Sequence, residues 1–433
     1  MSVLDRKLRR ELFAHVWLLA AIAGIVLVGV ACFVAMGTAY NNLTRAKTDY
    51  YRQCRMADFS IELKKAPRVD LRAVAELPGV TEIRPRIQFY ATVDLEAAPE
   101  PLNALVLSMP DRREAVINDI VLRRGAYFSP GRGNEVIVNE AFAEAHGLAP
   151  GDWVKLLLNN RSQELYVVGT AISAEFVYML SPGTIMPDAE HFGVFFLKES
   201  YAEDVFDFDG AANQVLGRLA PGTAVSTEEI LDRAELLLAD CGVFTTTPLA
   251  DQLSNKYLSE EIEGLQTFAV FMPVVFLTVA ALVLNVLLTR LAEQQRTIVG
   301  TLKALGYSDW QVFLHFLKFG LAVGLAGGLA GCGLGYVLAE LMTWVYRFFF
   351  VFPALENHFY PGRMLAALAI SLGCALLGSL RGTRAVLRLQ PAEAMRPAPP
   401  KRGGRILLEQ VAFFWRRLGV GWRMVFRSLA RSR

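Results

Sequence analysis

Residues 293–311 read EQQRTIVGTLKALGYSDWQ. Apolar runs flank this stretch at 268–288 and 316–342, and each exceeds the ~18 residues that ask for a membrane helix. A plain loop between two spans needs no pattern, yet this one carries helix signals throughout. Leu291, Ile298, Leu302 and Leu305 recur at helical spacing, with Glu293, Gln294, Arg296 and Lys303 mostly off that stripe. Gly306 suits a helix C-terminus that turns left-handed. Ser308 and Gln311 stand three apart as a capping box, with Tyr307 and Val312 placed as a hydrophobic staple. The stretch predicts a short amphipathic helix, a turn and the base of the next span. Two readings of such a helix stand: a passive surface element, or one that passes force to a partner at the membrane surface.

The rest of the chain supplies the frame. Of 433 residues, 53% are hydrophobic, and the mean hydropathy of +0.33 is higher than soluble proteins of this size usually reach. Residues 16–36 form a first charge-free run behind the basic segment LDRKLRRE. The run is longer than a signal-peptide core and no small-residue cleavage site closely follows it, so it reads as an uncleaved anchor. Residues 364–380 make a fourth and shortest span. Lys and Arg then set the orientation. Arg6, Lys7, Arg9 and Arg10 precede span one; Arg290, Arg296 and Lys303 lie between spans two and three; Arg381, Arg384, Arg388, Arg396, Lys401, Arg402 and Arg405 follow span four. With four spans all three groups fall on one side, the cytoplasm. The net charge of +2 hides this asymmetry and points to no nucleic acid.

The expected organisation is therefore an α-helical membrane bundle, one span plus three, with a large α+β extracytoplasmic domain inserted after the first. A cytoplasmic amphipathic helix covers 1–15 and span one 16–36. The outside domain with helical stalks covers 37–267, and span two 268–288. The cytoplasmic loop runs over 289–315 and span three over 316–342. An outer loop covers 343–363, span four 364–380, and a basic tail 381–433. Within the outside domain, ADFSIELKK reads as a strand, and Pro78-Gly79 as a turn between Leu77 and a run of alternating strand pattern. Glu135 to Val138 read as a strand, with Asn139 capping a short helix that Gly147 ends. Pro150-Gly151 turns into two strands that meet around Asn159-Asn160. Ser226 or Thr227 caps a helix whose early glutamates suit its dipole.

Span three is rich in glycine. Gly320, Gly324 and Gly328 are spaced by four, and so are Gly327, Gly331 and Gly335. Small residues at this spacing let helices approach closely. They serve tight packing within one bundle or a seam with a second membrane subunit. The aromatic outer loop TWVYRFFFVFPALENHFYPGR suits the membrane interface or guidance of a lipid-like substrate. Cys32, Cys332 and Cys374 lie in spans as packing residues. Cys54 and Cys241, near the two ends of the outside domain, form either a disulfide in an oxidising compartment or two separate thiols.

These residues carry a resemblance. Glu293, Arg296, Ile298, Gly300, Leu302, Ala304, Leu305 and Gly306 resemble the E-x-x-R-x-I-G-x-L-x-A-L-G loop of FtsX/MacB-like permeases of ABC transporters. The Ile-to-Gly spacing is one residue looser, with Val299 between. LQPAEAMRP at 389–397 is similar to that family's ending after span four. LPGV at 77–80 and GLAPGDWV resemble its periplasmic core domain, and the topology agrees. The resemblance implies that the loop, Lys303 included, couples to a cytoplasmic ABC ATPase dimer. ATP and Mg would then bind on that partner and no cofactor on this chain. Further implied partners are the lipid bilayer, a second permease unit (another copy or a different half) and a periplasmic membrane-fusion adaptor. The implied place is the bacterial inner membrane, multi-pass, with both termini cytoplasmic. The implied function is export or extraction of lipid, lipoprotein, peptide or hydrophobic substrate. The alternative is a mechanotransmission regulator of an extracytoplasmic enzyme such as a cell-wall hydrolase. The chain departs in one respect: its end, WRRLGVGWRMVFRSLARSR, is similar to the basic helix that precedes a first span. It reads either as the threshold of a second four-span unit or as an amphipathic tail.

Enzyme chemistry is not legible. No Gly-Lys dipeptide forms a phosphate-binding loop, and no H-E-x-x-H occurs. His15, His146, His191, His315 and His358 are scattered. No catalytic residue and no metal ligand is expected.

Overall fold

The computed structural model describes residues 3–95, 102–181, 183–184, 186–387 and 419. The LQPAEAMRP segment and the basic end of the chain lie outside the described residues. Helix α1 (Val3–Ala14) leads through His15 into α2 (Val16–Gln53). The outside domain comprises β1 (Phe59–Pro67), α3 (Arg68–Ala75), β2 (Val80–Arg86), β3 (Gln88–Asp94), β4 (Leu102–Met109), β5 (Ile120–Gly125), β6 (Glu135–Asn139), α4 (Glu140–Ala145), β7 (Trp153–Leu158), β8 (Arg161–Ser173), β9 (Phe192–Lys198), α5 (Glu199–Phe206), β10 (Ala211–Leu219), α6 (Thr227–Leu237) and β11 (Val243–Pro248). Four helices close the chain: α7 (Leu253–Gln294), α8 (Arg296–Ala304), α9 (Asp309–Phe349) and α10 (Pro361–Leu387).

Four of these helices, α2, α7, α9 and α10, are long and apolar enough to span a bilayer. The first three measure 38, 42 and 41 residues. At about 1.5 Å per residue each reaches roughly 60 Å, twice the ~30 Å hydrocarbon thickness. They therefore run on as rigid rods beyond the membrane. In the bundle α2 and α10 lie between α7 on one side and α9 on the other.

The outside domain has two sheets. The smaller runs β11-β1-β10-β2, all antiparallel. Its alternation places Phe59, Ile61 and Leu63 against α3 and α6 and leaves Ser60 and Glu62 on the other face. The larger runs β5-β8-β6-β9-β4-β3-β7, and β7 also pairs with β8. That extra pairing closes six strands into a barrel. Inside lie Ala104, Val106, Val136, Val138, Val154, Leu156, Leu165, Val167, Phe195 and Leu197. The alternate residues Leu105, Leu107, Ile137, Val194 and Phe196 form a second cluster on its outer face. Both faces are covered, so every residue of β9 is buried.

Local signals act as expected at the turns. Gly79, Gly147 and Gly151 have φ of 98°, 66° and 109°, values costly for any residue with a Cβ. Asn159 and Asn160, at φ 47° and 59°, form the two-residue turn whose twist suits the β7–β8 hairpin. Ser226 caps α6, accepting a hydrogen bond from Glu229 N. Asn139 differs from the expectation. It precedes α4 without capping it, because its side chain is committed to the neighbouring strand β9 and the outer-face cluster: Oδ1 accepts from Val194 N and Nδ2 meets Met179 Sδ.

Of the two readings of Cys54 and Cys241, the structure has the second: both are free thiols. Cys54 is buried at the end of α2 among residues of the stalk junction, while Cys241 packs beside the small sheet. Burial pushes the Cys54 thiol up to about 12, which leaves it protonated and unreactive.

Candidate functional site: the elbow and its lever

The elbow begins where α7 ends. Gln295 leaves helical geometry at φ −92°, ψ 12° and starts α8. Gly306 at φ 92° then ends α8. Ser308 opens α9 with the full capping box: Ser308 Oγ accepts from Gln311 N and Gln311 Oε1 accepts from Ser308 N, at 3.3 and 3.0 Å. Lys303 Nζ lies 2.7 Å from Asp309 Oδ1 and ties the end of α8 to the start of α9.

The break at Gln295 changes which residues face in. Leu291, on α7, is buried in the bundle. On α8 the buried residues are Val299 and Gly300. Val299 packs with Ala292, Val312 and Phe316, and Tyr307 lies against them. Ile298 and Leu305 point outward, 46% and 72% exposed, as does Trp310 at 65%. The expected stripe through Leu291, Ile298, Leu302 and Leu305 is therefore split between two helices, because a turn intervenes where the pattern assumed one continuous rod. Val299, the residue that loosens the motif's spacing, is the inward anchor. Glu293, Ala304 and Gly306 are exposed, while Arg296, Leu302 and Lys303 are half-buried.

A polar node that the sequence did not suggest sits beneath the elbow. Glu11 of α1 accepts from Gln295 Nε2 at 2.8 Å and from His315 Nε2 at 3.2 Å. Lys7 Nζ donates to Gln295 Oε1 at 3.2 Å and lies 3.4 Å from Glu11. Burial raises the Glu11 pKa, but the His315 hydrogen bond and the Lys7 charge outweigh it and hold the carboxyl below its ordinary value. One node thus ties α1, the α7–α8 break and the base of α9. The available signal was weak: one of two acids in a basic helix, and a histidine on an otherwise apolar face.

The glycines of α9 show how the bundle holds its rods. A Cβ on Gly320, Gly324 or Gly328 would meet Ser379, Ala375 or Ser371 of α10 within about 3 Å. One on Gly327, Gly331 or Gly335 would meet Val26, Val30 or Val34 of α2 at 2.7 to 2.9 Å. Both stripes are occupied by helices of the same chain.

Above the membrane the rods are tied together. Lys47 Nζ donates to Ser259 Oγ, and Tyr51 OH to Asn255 Oδ1, joining α2 to α7. Asn42 makes four hydrogen bonds, to Thr343, Asn357, His358 and Tyr360. It thereby fixes the outer loop to α2. Helix α9 runs on to Phe349, and beyond it Phe350 and Phe352 are buried in the stalk junction, so only part of the loop's aromatic set faces outward. The junction meets the domain through Val351 N to Val177 O and Tyr178 N to Ser254 Oγ. Within the domain, Arg86 of the small sheet makes a two-pronged buried pair with Glu175 beside the barrel, at 2.7 and 2.9 Å, and donates to Gln214. The continuous path runs from elbow to rods, to junction, to both sheets.

Two family models match this chain. One, the FtsX-like permease C-terminal, matches residues 270–391, and the other, the MacB-like periplasmic core domain, matches residues 18–234. The macrolide export ATP-binding/permease protein MacB of Photorhabdus laumondii subsp. laumondii is 30% identical over 141 residues, 32% of this chain and 21% of that protein. The matched stretch thus spans about a fifth of that relative's length. Among solved structures, the extracellular domain of the transporter YknZ from Gram-positive bacteria overlaps at TM-score 0.28 and 14% identity, covering 42% of this chain and 93% of that one. The periplasmic region of MacB from Actinobacillus actinomycetemcomitans overlaps at TM-score 0.29 and 8% identity, covering 50% and 97%.

Proposed function

The chain belongs to the family that joins an FtsX-like permease region to a MacB-like periplasmic core domain, and from that premise we propose that it is the membrane subunit of an ABC transporter complex whose elbow docks on a separate cytoplasmic ATPase. ATP and Mg bind on that partner. When the ATPase subunits close and reopen, the elbow moves and the rods carry the motion outward to the domain. The substrate class is lipid, lipoprotein, peptide or hydrophobic molecule, handled at the outer face of the inner membrane. A second permease unit and a periplasmic adaptor complete the assembly, and both termini lie in the cytoplasm.

The observation that carries this reading is the elbow's double character. Its inner face is anchored by Val299 and by the Lys303–Asp309 pair. Its outer face leaves Ile298, Leu305 and Trp310 largely exposed among the described residues, Trp310 stacking only on its neighbour Phe313. Apolar residues held on a braced support suit a protein partner. The basic residues beside them, Arg290 and Arg296 among these, favour the cytoplasmic side.

The test is Leu305→Asp in the full chain, purified with whatever ATPase accompanies it. Leu305 touches little of its own chain, so thermal stability should stay within about 0.5 kcal/mol. Permease-dependent stimulation of ATP hydrolysis should fall at least tenfold, or about 1.4 kcal/mol in coupling. Unchanged stimulation in this variant would sink the docking assignment.

A further inference from the structure

Helix α1 has two faces, and among the described residues only one packs against the rest of the protein. Leu8 and Leu12 pack against the bundle base beside Leu19, Leu288 and Leu291, and Glu11 on the same side enters the elbow node. The opposite face carries Arg6, Arg9, Arg10 and Phe13, at i, i+3, i+4 and i+7. All three arginines are exposed, and among the described residues no ion pair or hydrogen bond holds them. Phe13 is 74% exposed, and Trp17, at the first turn of the adjoining span, 87%. Helix α1 joins that span through the single residue His15, so this face cannot leave the bilayer surface. Arginines with an aromatic on one helix face, at that depth, match the headgroup layer of a membrane carrying negative lipid. A protein partner would leave Phe13 and Trp17 at the level of the acyl chains.

We propose that the arginine face of α1 binds anionic phospholipid headgroups, and that the Glu11 node relays this contact to the elbow, so that coupling depends on the charge of the surrounding leaflet. The relay arm rests on the coupling role proposed above; the lipid arm does not. Seating α1 on the surface orients Glu11, which holds Gln295 at the break and His315 at the base of α9. Without anionic lipid the helix is held by Leu8, Leu12 and the node alone, and the elbow loses a fixed neighbour.

The experiment uses the full chain in nanodiscs of phosphatidylcholine, with or without about 30% phosphatidylglycerol, the lipid that supplies the negative surface potential. Hydrogen–deuterium exchange is followed over 3–14 and 295–306, with no ATPase present. Phosphatidylglycerol is expected to slow exchange in α1 at least tenfold and to slow the elbow with it. A variant with Arg6→Gln, Arg9→Gln and Arg10→Gln should lose both effects. Glu11→Ala should keep the lipid effect on α1 and lose it in the elbow. Glu11→Gln, which retains an oxygen for Gln295 Nε2, should recover part of the elbow response and so exclude simple misfolding. Equal α1 exchange in the two membranes overturns the proposal. Protection of α1 that needs added ATPase instead assigns this face to the ATPase and overturns it too. An elbow response that survives in Glu11→Ala overturns the relay. Failure of any ATPase to accompany the wild-type chain defeats the proposed function, while the lipid arm is read without one.

Discussion

Strand β9 and helix α8 are similar in length and opposite in character. All seven residues of β9 are buried, between the barrel interior and the outer cluster. Helix α8 has nine residues and buries two. The barrel finds its contacts inside the chain: β9 pairs with β4 and β6, and its side chains alternate between two apolar clusters. The elbow keeps a small inner anchor and turns Ile298 and Leu305 away from it. A segment that stops at Gly306, is tied to α9 by the Lys303–Asp309 pair and yet leaves apolar residues exposed among the described residues suits a contact outside the chain. In the proposed function the outside domain is the part that is moved, and the elbow is the part that receives the motion.

The comparison can be broken first at the domain. Arg86 and Glu175 are a desolvated pair, and removing one partner leaves a buried charge uncompensated. Glu175→Ala is expected to cost about 3–5 kcal/mol, seen as a lowered thermal midpoint of the full chain in detergent. Glu175→Gln should cost less, since it keeps an acceptor for the guanidinium. An unchanged midpoint in Glu175→Ala would mean that the two sheets are held by apolar contact alone and that the top of the lever is looser than drawn.

The rods between the two regions offer the next test. Gly331→Val would drive a side chain into Val30 and the carbonyl of Leu27, where even a bare Cβ lies 2.7 and 2.8 Å away. Overpacking of this kind costs about 1–3 kcal/mol or more. Gly333 has nothing within 4 Å of its Cβ position, so Gly333→Ala should be silent or slightly stabilising. Equal tolerance at both positions, measured as thermal midpoint, would show that α2 and α9 are not closely packed.

The smallest effect concerns the node. The Glu11 carboxyl lies below its ordinary value in the fold, so it contributes stability that is fully present above the unfolded value of 4.5. That contribution is lost as pH falls from 4.5 through the lower folded value. The tie between α1 and the elbow should therefore weaken on acidification below 4.5. Exchange at 295–306 should then rise in the wild type and stay flat in Glu11→Ala. A flat wild-type profile would sever the node from the elbow's order.

Local chemistry was legible from the residues themselves. Four apolar runs needed only length and hydropathy. The Ser308 box, the Gly306 stop, the left-handed Gly79 and Gly147 and the Asn159-Asn160 hairpin each depend on a few adjacent residues and on what φ values their side chains permit. For the same reason the elbow was visible as a capped unit before any contact was known. The family pattern was readable there because its glycines and leucines occupy positions set by local geometry.

What the tertiary structure alone decided were matters of partner. Asn139 has the right type to cap a helix, but Val194 on the neighbouring strand β9 claims it. The cysteines have the right residue type for a bond, but they fold into separate clusters. The glycine stripes are legible as close-approach surfaces, yet only the packed bundle shows one against α10 and the other against α2. The inward turn of Val299, the closure of the barrel by β7 on β8 and the meeting of Glu11 with His315 all join residues far apart in the chain or across a helix break. Periodicity states that a face is apolar, and capping states where a rod stops. Neither contains the angle at which the next rod leaves, and that angle selects which residue meets which.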